Sequence, residues 1–537
     1  MPTFAAIDVG SNSCRLEIAE VVEHQLRTVA EDREVTRLGA SVFETGMISP
    51  EAMAATLEAL KRFQRLVQAH GADQIRMVAT SAMRDARNGP AFQAWVKAET
   101  GWNLEIISGL EEARLIHLGV TGAEREAGRA LLIDLGGGSC EITLSERHHI
   151  LETVSLPLGA VRLKEEFLSA DPAPPEGLAR MRQFIARELR TAHGKIQPGE
   201  VMRVIATSGT AAALSEAVTA EKWAAKSDKK AARKNAEKKI DKVIQVLAAS
   251  QRKLTVPEAE LISTRDVGRL AAKLALMPLA ERAAVAGIGP RRAEIIVPGA
   301  MVFAELLESF GLAGFIYSPL GLRDGILAQM LAEQDERARV HRAFEHDRWE
   351  SVLATARRYG VDPVDAEPVR AHALQLFHDL AELHQLPPEY ENWLGAAAML
   401  RDTGKFINHQ GHHRHTQYIV SSSELYGYTP VQRTLVSAIA RYLGKSRPQP
   451  NDRALRNIPA GEHAHVHRAV VLLRLAVALN QDRASDVLRV SAKVYPRRVH
   501  LEVEQGRTGA ELELWSLRKE AGYFREVFGR ELFCTLA

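Results

Sequence analysis

Apolar runs at Phe4-Ala5-Ala6-Ile7 and Leu131-Leu132-Ile133 each lead into a turn of small residues. Beyond each turn, apolar and polar positions alternate, as Leu16-Glu17-Ile18 and Ile142-Thr143-Leu144. A period of two is that of a half-buried strand, so both segments predict strand–turn–strand. Between them, Met53, Leu57, Leu60, Phe63 and Val67 share one face of a helix predicted over Glu51 to His70. Gln74 to Thr80 has the pattern of a buried strand, Pro90 to Thr100 that of a helix and Leu104 to Ile107 that of another strand. Val204 to Thr210 repeats the theme of a strand ending in a small-residue turn. From about Gln329 to Val487 the pattern is almost wholly helical. Strands are then expected at Val490–Val494, His500–Val503 and Leu512–Leu514, with a last helix over about Leu517 to Phe528.

The two turns are the same turn. Ile7-Asp8-Val9-Gly10-Ser11-Asn12-Ser13-Cys14 returns as Ile133-Asp134-Leu135-Gly136-Gly137-Gly138-Ser139-Cys140. Glycines let backbone N–H groups close on an anion and serines add hydroxyl donors. Gly10, Ser11, Asn12, Ser13, Gly136, Gly137, Gly138 and Ser139 are therefore candidate phosphate ligands. A P-loop or dinucleotide fold would place a helix after the glycines, which the alternation excludes. Asp8 and Asp134 would repel a bare phosphate, so they are expected to hold a Mg²⁺ that binds it. Repetition predicts two similar α/β lobes facing a shared cleft. Their actin-like, ribonuclease H-like and sugar-kinase-like layout is an analogy at the level of fold.

At 537 residues the chain should hold several domains. We expect two lobes over 1–125 and 126–328, a helical domain over 329–488 and a small α/β appendage over 489–537. With 46% hydrophobic and 25% charged residues and a net charge of +2, composition suggests a soluble protein and says little of partners. No apolar run suits a membrane span, and the immediate first strand argues against a signal peptide. Cys14, Cys140 and Cys534 show no metal or disulfide spacing, so a reducing cytoplasm is expected. Charge does cluster within an insertion at about 221–253, where Lys222 to Lys242 is rich in Ala, Lys and Arg. A solvated surface helix and a landing strip for a polyanion both suit it.

Two further segments end strands near the turns. Ile106 to Arg114 carries Glu111 and Glu112 at a helix start, where acidic residues are favoured by the dipole and need have no catalytic role. Arg84, in Ala79 to Asn88, suits bidentate phosphate binding, and equally an ion pair with Asp85 or Glu112.

Both loops, Thr80–Asn88, Ser108–Arg114, Ser155–Gly159, Thr207–Thr210 and Arg292–Gly299 together resemble the exopolyphosphatase and guanosine pentaphosphate phosphohydrolase (Ppx/GppA) family. The resemblance implies that Glu112 is the catalytic base, that Arg84 binds phosphate, and that Asp134 and Glu141 join Asp8 at the Mg²⁺ end. Ser208 and Gly209 are expected to bind phosphate as well, in the place where related ATPases receive adenosine, with no nucleotide cofactor required. The resemblance further implies a homodimer and a degenerate HD-type helical domain. Arg401-Asp402 stands where that motif has His-Asp, and Val477 where a later aspartate belongs, so no second active site is expected. His412, His413, Arg414 and His415, with Arg441, Lys445 and Arg447, suit either packing within helices or a channel guiding a polyanion.

The expected reaction is Mg²⁺-dependent release of terminal orthophosphate from inorganic polyphosphate, with no membrane and no specific nucleic acid as partner. The alternative substrate is guanosine pentaphosphate. Two other classes, a non-catalytic sensor and an ATP-dependent sugar-kinase-like phosphotransferase, lack support from the loops and from Glu112 and Arg84.

Overall fold

The computed structural model describes residues 2–122, 128–147, 149–237, 261–443, 446–449, 452–481, 487–504 and 509–537, with the side chains of 224–237 left aside. They form two compact units, Met1–Phe344 and Glu345–Ala537.

The first unit contains two sheets of one design. In the first, strands β1 (Thr3–Val9), β2 (Cys14–Val22) and β3 (Gln25–Glu34) form an antiparallel meander. β4 (Gln74–Ala79) and β5 (Leu104–Ile106) then add in parallel on the other side of β1, giving the order β3-β2-β1-β4-β5. The second sheet repeats this with β6 (Ala130–Leu135), β7 (Cys140–Glu146), β8 (His149–Leu156), β9 (Arg203–Thr207) and β11 (Gly314–Tyr317). A two-residue strand, β10 (Ile262–Ser263), closes its edge. Parallel neighbours need long crossovers, and the helices predicted from period 3.6 supply them. The first, Pro50–Ala69, starts at Ser49, whose hydroxyl accepts from the Ala52 amide, and buries Leu57, Leu60, Phe63 and Val67.

Register decides what the hairpins present. Asp8 lies opposite Arg15 across β1 and β2, while Asp134 lies opposite Glu141 across β6 and β7. Directly opposed residues share a face of the sheet. The same turn therefore carries a cation partner in one lobe and an acid partner in the other.

Two helices join the lobes. Gly109–Gly122 is buried nearly all round, with Leu115 packed beneath the first sheet and Ile116 and Val120 against Leu132 and Ile205 of the second. Leu322–Gln334 crosses it and also packs on Phe4, Ala6 and Val78 through Ile326, Leu327 and Met330.

In the second unit, Pro363–Asp379, Tyr390–Leu400, Pro430–Arg441 and His463–Ala478 surround a core that includes Leu376, Leu394, Val436 and Leu472. The appendage differs from expectation at one element. Leu512 to Leu514 is not a strand but the start of a helix, Glu511–Phe528. Two leucines in alternation are too short a signal, and Leu514, Leu517 and Phe524 continue it as one buried helical face. The helix is the crossover between β13 (Arg498–Val503) and a parallel strand the sequence did not announce, β14 (Glu531–Leu536). β12 (Val490–Val494) completes the sheet on the other edge of β13.

Candidate active site

Between the lobes lies a cleft of about 740 Å³, lined by both repeated turns. The turns touch: a side chain at Gly137 would overlap Ser11, and one at Gly138 would overlap Ser81 and Phe43. Only glycine at 138 allows the second loop to sit so close to the first lobe. Ser208 and Gly209, at the end of β9, also line the cleft. A side chain at Gly209 would overlap the Arg292 guanidinium, so that small residue makes room for a cation.

Four carboxylates gather at one end. Asp8, Asp134 and Glu112 line the cleft, and Glu141 is buried directly beneath. Thr207 donates its hydroxyl to Asp134 at 2.6 Å and Ser155 donates to Glu141 at 2.7 Å. The second Glu141 oxygen, Oε2, is buried without a hydrogen-bond partner. Burial, with mutual repulsion added, raises the pKa values of Asp8 and Glu141, Glu141 well above the ordinary range. Asp134 is also raised by burial, against the hydrogen bond from Thr207.

Glu112 stands at the first turn of Gly109–Gly122, its helix start capped by the Ser108 hydroxyl, which accepts from the Glu111 amide at 3.1 Å. Burial raises its pKa to about 7, against the pull of Arg84. Arg84 Nη1 donates to Glu112 Oε2 at 2.9 Å and to the Ile107 carbonyl at 2.8 Å, and Nη2 reaches Ser139 in the second loop at 3.4 Å. Of the two ion pairs open from sequence, the structure shows the one with Glu112; Asp85 pairs with Arg162.

The cleft also holds cations that sequence reasoning did not single out. Arg15, Arg33, Arg292 and Arg323 all line it. Burial and mutual repulsion lower Arg33 to about 10 and Arg292 to about 9. Arg33 Nε is buried without a hydrogen-bond partner. Their signal was present but scattered: Arg15 follows the first turn, opposite Asp8, and Arg292 opens a segment already marked as a motif.

Would this donor set suit Mg²⁺? Four buried carboxylates driven toward protonation, one with an orphaned oxygen, are hard donors that a divalent cation would relieve. Asp8, Asp134 and Glu141 do not bring their oxygens within 4.8 Å of one another as a trio. Mg²⁺ commonly takes one or two carboxylates and keeps water and phosphate oxygens for the rest, so the fit holds.

The other predicted residues belong to the second unit. His412, His413, Arg414 and His415 open the helix His412–Ser422, with the His412 and His413 rings 5.5 Å apart. Burial lowers both imidazole pKa values, with Asp402 opposing the shift at His412 and Arg441 adding to it at His413. Asp402 is 2.8 Å from Lys405 and 3.8 Å from Arg401. Arg441 stacks on Tyr442, while Lys445 and residues 238–253 of the insertion lie outside the described residues; its first part continues the helix Ser208–Glu237.

Residues 17–334 match the Ppx/GppA phosphatase family, and residues 348–521 match domain III of that family. The chain belongs to the Ppx/GppA phosphatase family. It is 26% identical over 486 residues to the guanosine-5'-triphosphate,3'-diphosphate pyrophosphatase of Pseudoalteromonas atlantica, spanning 90% of this chain and 88% of the relative. Among solved structures it resembles an exopolyphosphatase from Cytophaga hutchinsonii, with TM-score 0.51 and 26% identity over 62% of this chain and 99% of that one. An exopolyphosphatase-like protein aligns with TM-score 0.53 and 26% identity, over 61% of this chain and 97% of its own. The architecture is thus mixed α/β with actin-like Ppx/GppA neighbours and a helical C-terminal part. Among the described residues, no helix is long and apolar enough to cross a membrane.

Proposed function

We propose that this family member is a Mg²⁺-dependent exopolyphosphatase that hydrolyses the terminal phosphoanhydride of inorganic polyphosphate. One observation carries the reading: a buried carboxylate with a pKa of about 7, Glu112, faces two phosphate loops and is held by an arginine that also reaches the second loop. A general base works best with its pKa near the working pH.

The loop amides and hydroxyls of Gly10–Ser13 and Gly136–Ser139 bind the terminal phosphate, with Arg84 Nη2 adding a charged donor. Glu112 takes a proton from a water, whose oxygen bonds to the terminal phosphorus while the bridging P–O bond breaks. The products are orthophosphate and a chain one unit shorter. Asp8 and Asp134, backed by Glu141, would hold Mg²⁺, which supplies charge neutralisation of the phosphate oxygens when bound. Such a reaction is mostly positioning and electrostatics, the two things this cleft provides. Arg15, Arg33, Arg292 and Arg323 receive the remaining phosphates.

Guanosine pentaphosphate is the second reading. The relative matched over 90% of the chain carries that substrate in its name, and the arginine group would take a 3'-diphosphate as readily as a longer chain. A cytoplasmic homodimer, an HD-like helical domain without its own active site, and a polyanion path past His412, His413, Arg414, His415 and Arg441 belong to the same proposal.

The test is orthophosphate release from long-chain polyphosphate and from guanosine pentaphosphate, with Mg²⁺ or EDTA, for wild type and Glu112→Gln. Mg²⁺-dependent release that collapses at least about 100-fold in the variant is expected for a general base. The ratio of rates names the substrate. Full activity of Glu112→Gln would overturn the assignment of the base.

A further inference from the structure

We infer that Arg114 and Gln329 are positioning residues that fix the roll of the Gly109–Gly122 helix and so aim Glu112 into the cleft; the inference rests on the reading of Glu112 as base.

Arg114 is 2% exposed and binds Glu111 with both edges of its guanidinium, Nε at 2.8 Å and Nη2 at 2.9 Å. The same Nη2 donates to Gln329 Oε1, on the crossing helix Leu322–Gln334. Gln329 is fully buried, and its amide donates onward to Glu333 at 2.8 Å. A second, half-buried pair, Arg76 with Glu105 at 3.2 Å, stands close enough for Arg76 to feel Glu111 and Glu333 as well. A fully buried arginine with half-buried charged partners, none of which lines the cleft, calls for a purpose other than binding substrate.

Geometry supplies that purpose. At about 100° per residue, Arg114 points about 160° away from Glu112 around the helix axis. An anchor on the far face therefore opposes any roll of the near face. The helices also touch backbone to backbone, since a side chain at Gly325 would overlap the Leu115 carbonyl and one at Gly119 would lie 2.6 Å from Gly321 O. Glycine contact sets the separation of the two helices, and the apolar packing of Leu115, Ile116 and Val120 resists roll without directional bonds, so some freedom remains. The Glu111–Arg114–Gln329 chain removes that freedom. A roll of about 20° would move a carboxylate roughly 6 Å from the axis by about 2 Å. Misplacement of about 1 Å can cost about 100-fold in rate.

Binding and chemistry should then separate. The phosphate loops and the arginine group do not sit on the Gly109–Gly122 helix, so a loosened roll lowers kcat and spares KM. Gln329→Met removes the acceptor at similar volume, and Arg114→Lys keeps the charge while losing the two-edged grip. Both are compared with Arg282→Met, which breaks a buried arginine pair with Asp171 in the other lobe, outside the cleft. Steady-state phosphate release and thermal unfolding are measured for all three and for Glu112→Gln. We expect kcat to fall about 10- to 100-fold in Gln329→Met and Arg114→Lys with KM within about twofold, while Arg282→Met loses melting temperature alone. Unchanged kcat in Gln329→Met and Arg114→Lys, with Glu112→Gln inactive, overturns the positioning role and leaves the base in place. An active Glu112→Gln overturns both.

Discussion

Replacing Arg84 with glutamine takes from Glu112 the guanidinium that donates to it at 2.9 Å, while burial and the neighbouring Asp134 and Asp8 remain. Those remaining influences all favour the neutral acid. In the wild type they are opposed by Arg84 and the balance falls at about 7. A general base acts as the carboxylate, so kcat/KM should rise with pH through about 7 rather than through the usual glutamate range near 4.5. A cation this close ordinarily lowers a carboxyl pKa by about one to three units. Its removal should therefore carry the acid limb to between about 8 and 10. At pH 7 the carboxylate fraction would drop from about one half to between roughly a tenth and a thousandth. The assay is orthophosphate release at subsaturating substrate from about pH 5.5 to about pH 11, each profile fitted and scaled to its own plateau. Scaling removes the weaker phosphate binding that Arg84→Gln also causes, because that loss changes height and not position. A limb that stays within about 0.3 unit of wild type would refute the claim that Arg84 sets the ionisation of Glu112.

Two predictions concern stability. His372, fully buried with neither ring nitrogen hydrogen-bonded, has its pKa lowered by burial from 6.5 to about 4. Between those values the unfolded chain binds a proton that the folded chain refuses, so stability is lost as pH falls from 6.5 toward 4. The loss should be about 2 kcal/mol between pH 7 and pH 5, read from urea midpoints. His372→Phe should abolish that slope, and an equally steep slope in the variant would place the acid sensitivity elsewhere. Gly325→Ala, which forces a methyl against the Leu115 carbonyl, should cost about 3 kcal/mol or more. Gly268→Ala, in a helix with open space at that position, should instead gain about 0.5–1 kcal/mol. Equal effects of the two substitutions in urea denaturation would show that the helix crossing is not so close.

The duplicated hairpins were legible because each lobe writes the same local signal: an apolar run, a turn of small residues and a return to period two. Asp8, Asp134 and both loops meet in the cleft as the repetition suggested. Glu112 and Arg84 were harder. Spacing favoured a dipole role for one and left the partner of the other open, and only the fold brings them to 2.9 Å. The misread strand at Leu512–Leu514 has a similar cause, since three residues carry too little periodicity to separate strand from helix. β14 went unannounced because its place is fixed by pairing with β13, thirty residues away across a helix. The arginine group was missed for the same physical reason. Its members come from β2, β3, the Arg292 segment and the start of Leu322–Gln334, and no window of sequence contains more than one or two of them.

That arginine group also gives meaning to an asymmetry in the duplication. Both hairpins carry an aspartate before the turn, yet the residue opposite it is Arg15 in the first lobe and Glu141 in the second. The exchange of one charge gives the cleft an acidic pole around Asp134, Glu141 and Glu112 and a cationic one around Arg33 and Arg292, with Arg15 acting on both groups from its place opposite Asp8. On the proposed reaction a polyphosphate chain binds through its inner phosphates at the cationic pole without help. On the same reading, Mg²⁺ held by Asp8 and Asp134 would offset the carboxylates around the terminal phosphate. Reaction at the chain end, rather than at an inner link, then follows from charge: a single terminal unit is all that the acidic pole and its cation need accommodate beside Glu112. Glu141→Lys should weaken the distinction without erasing it, since Asp8, Asp134 and Glu112 remain; it should lower the KM for polyphosphate and the Mg²⁺ concentration that half-saturates orthophosphate release, and an unchanged Mg²⁺ dependence would refute the argument.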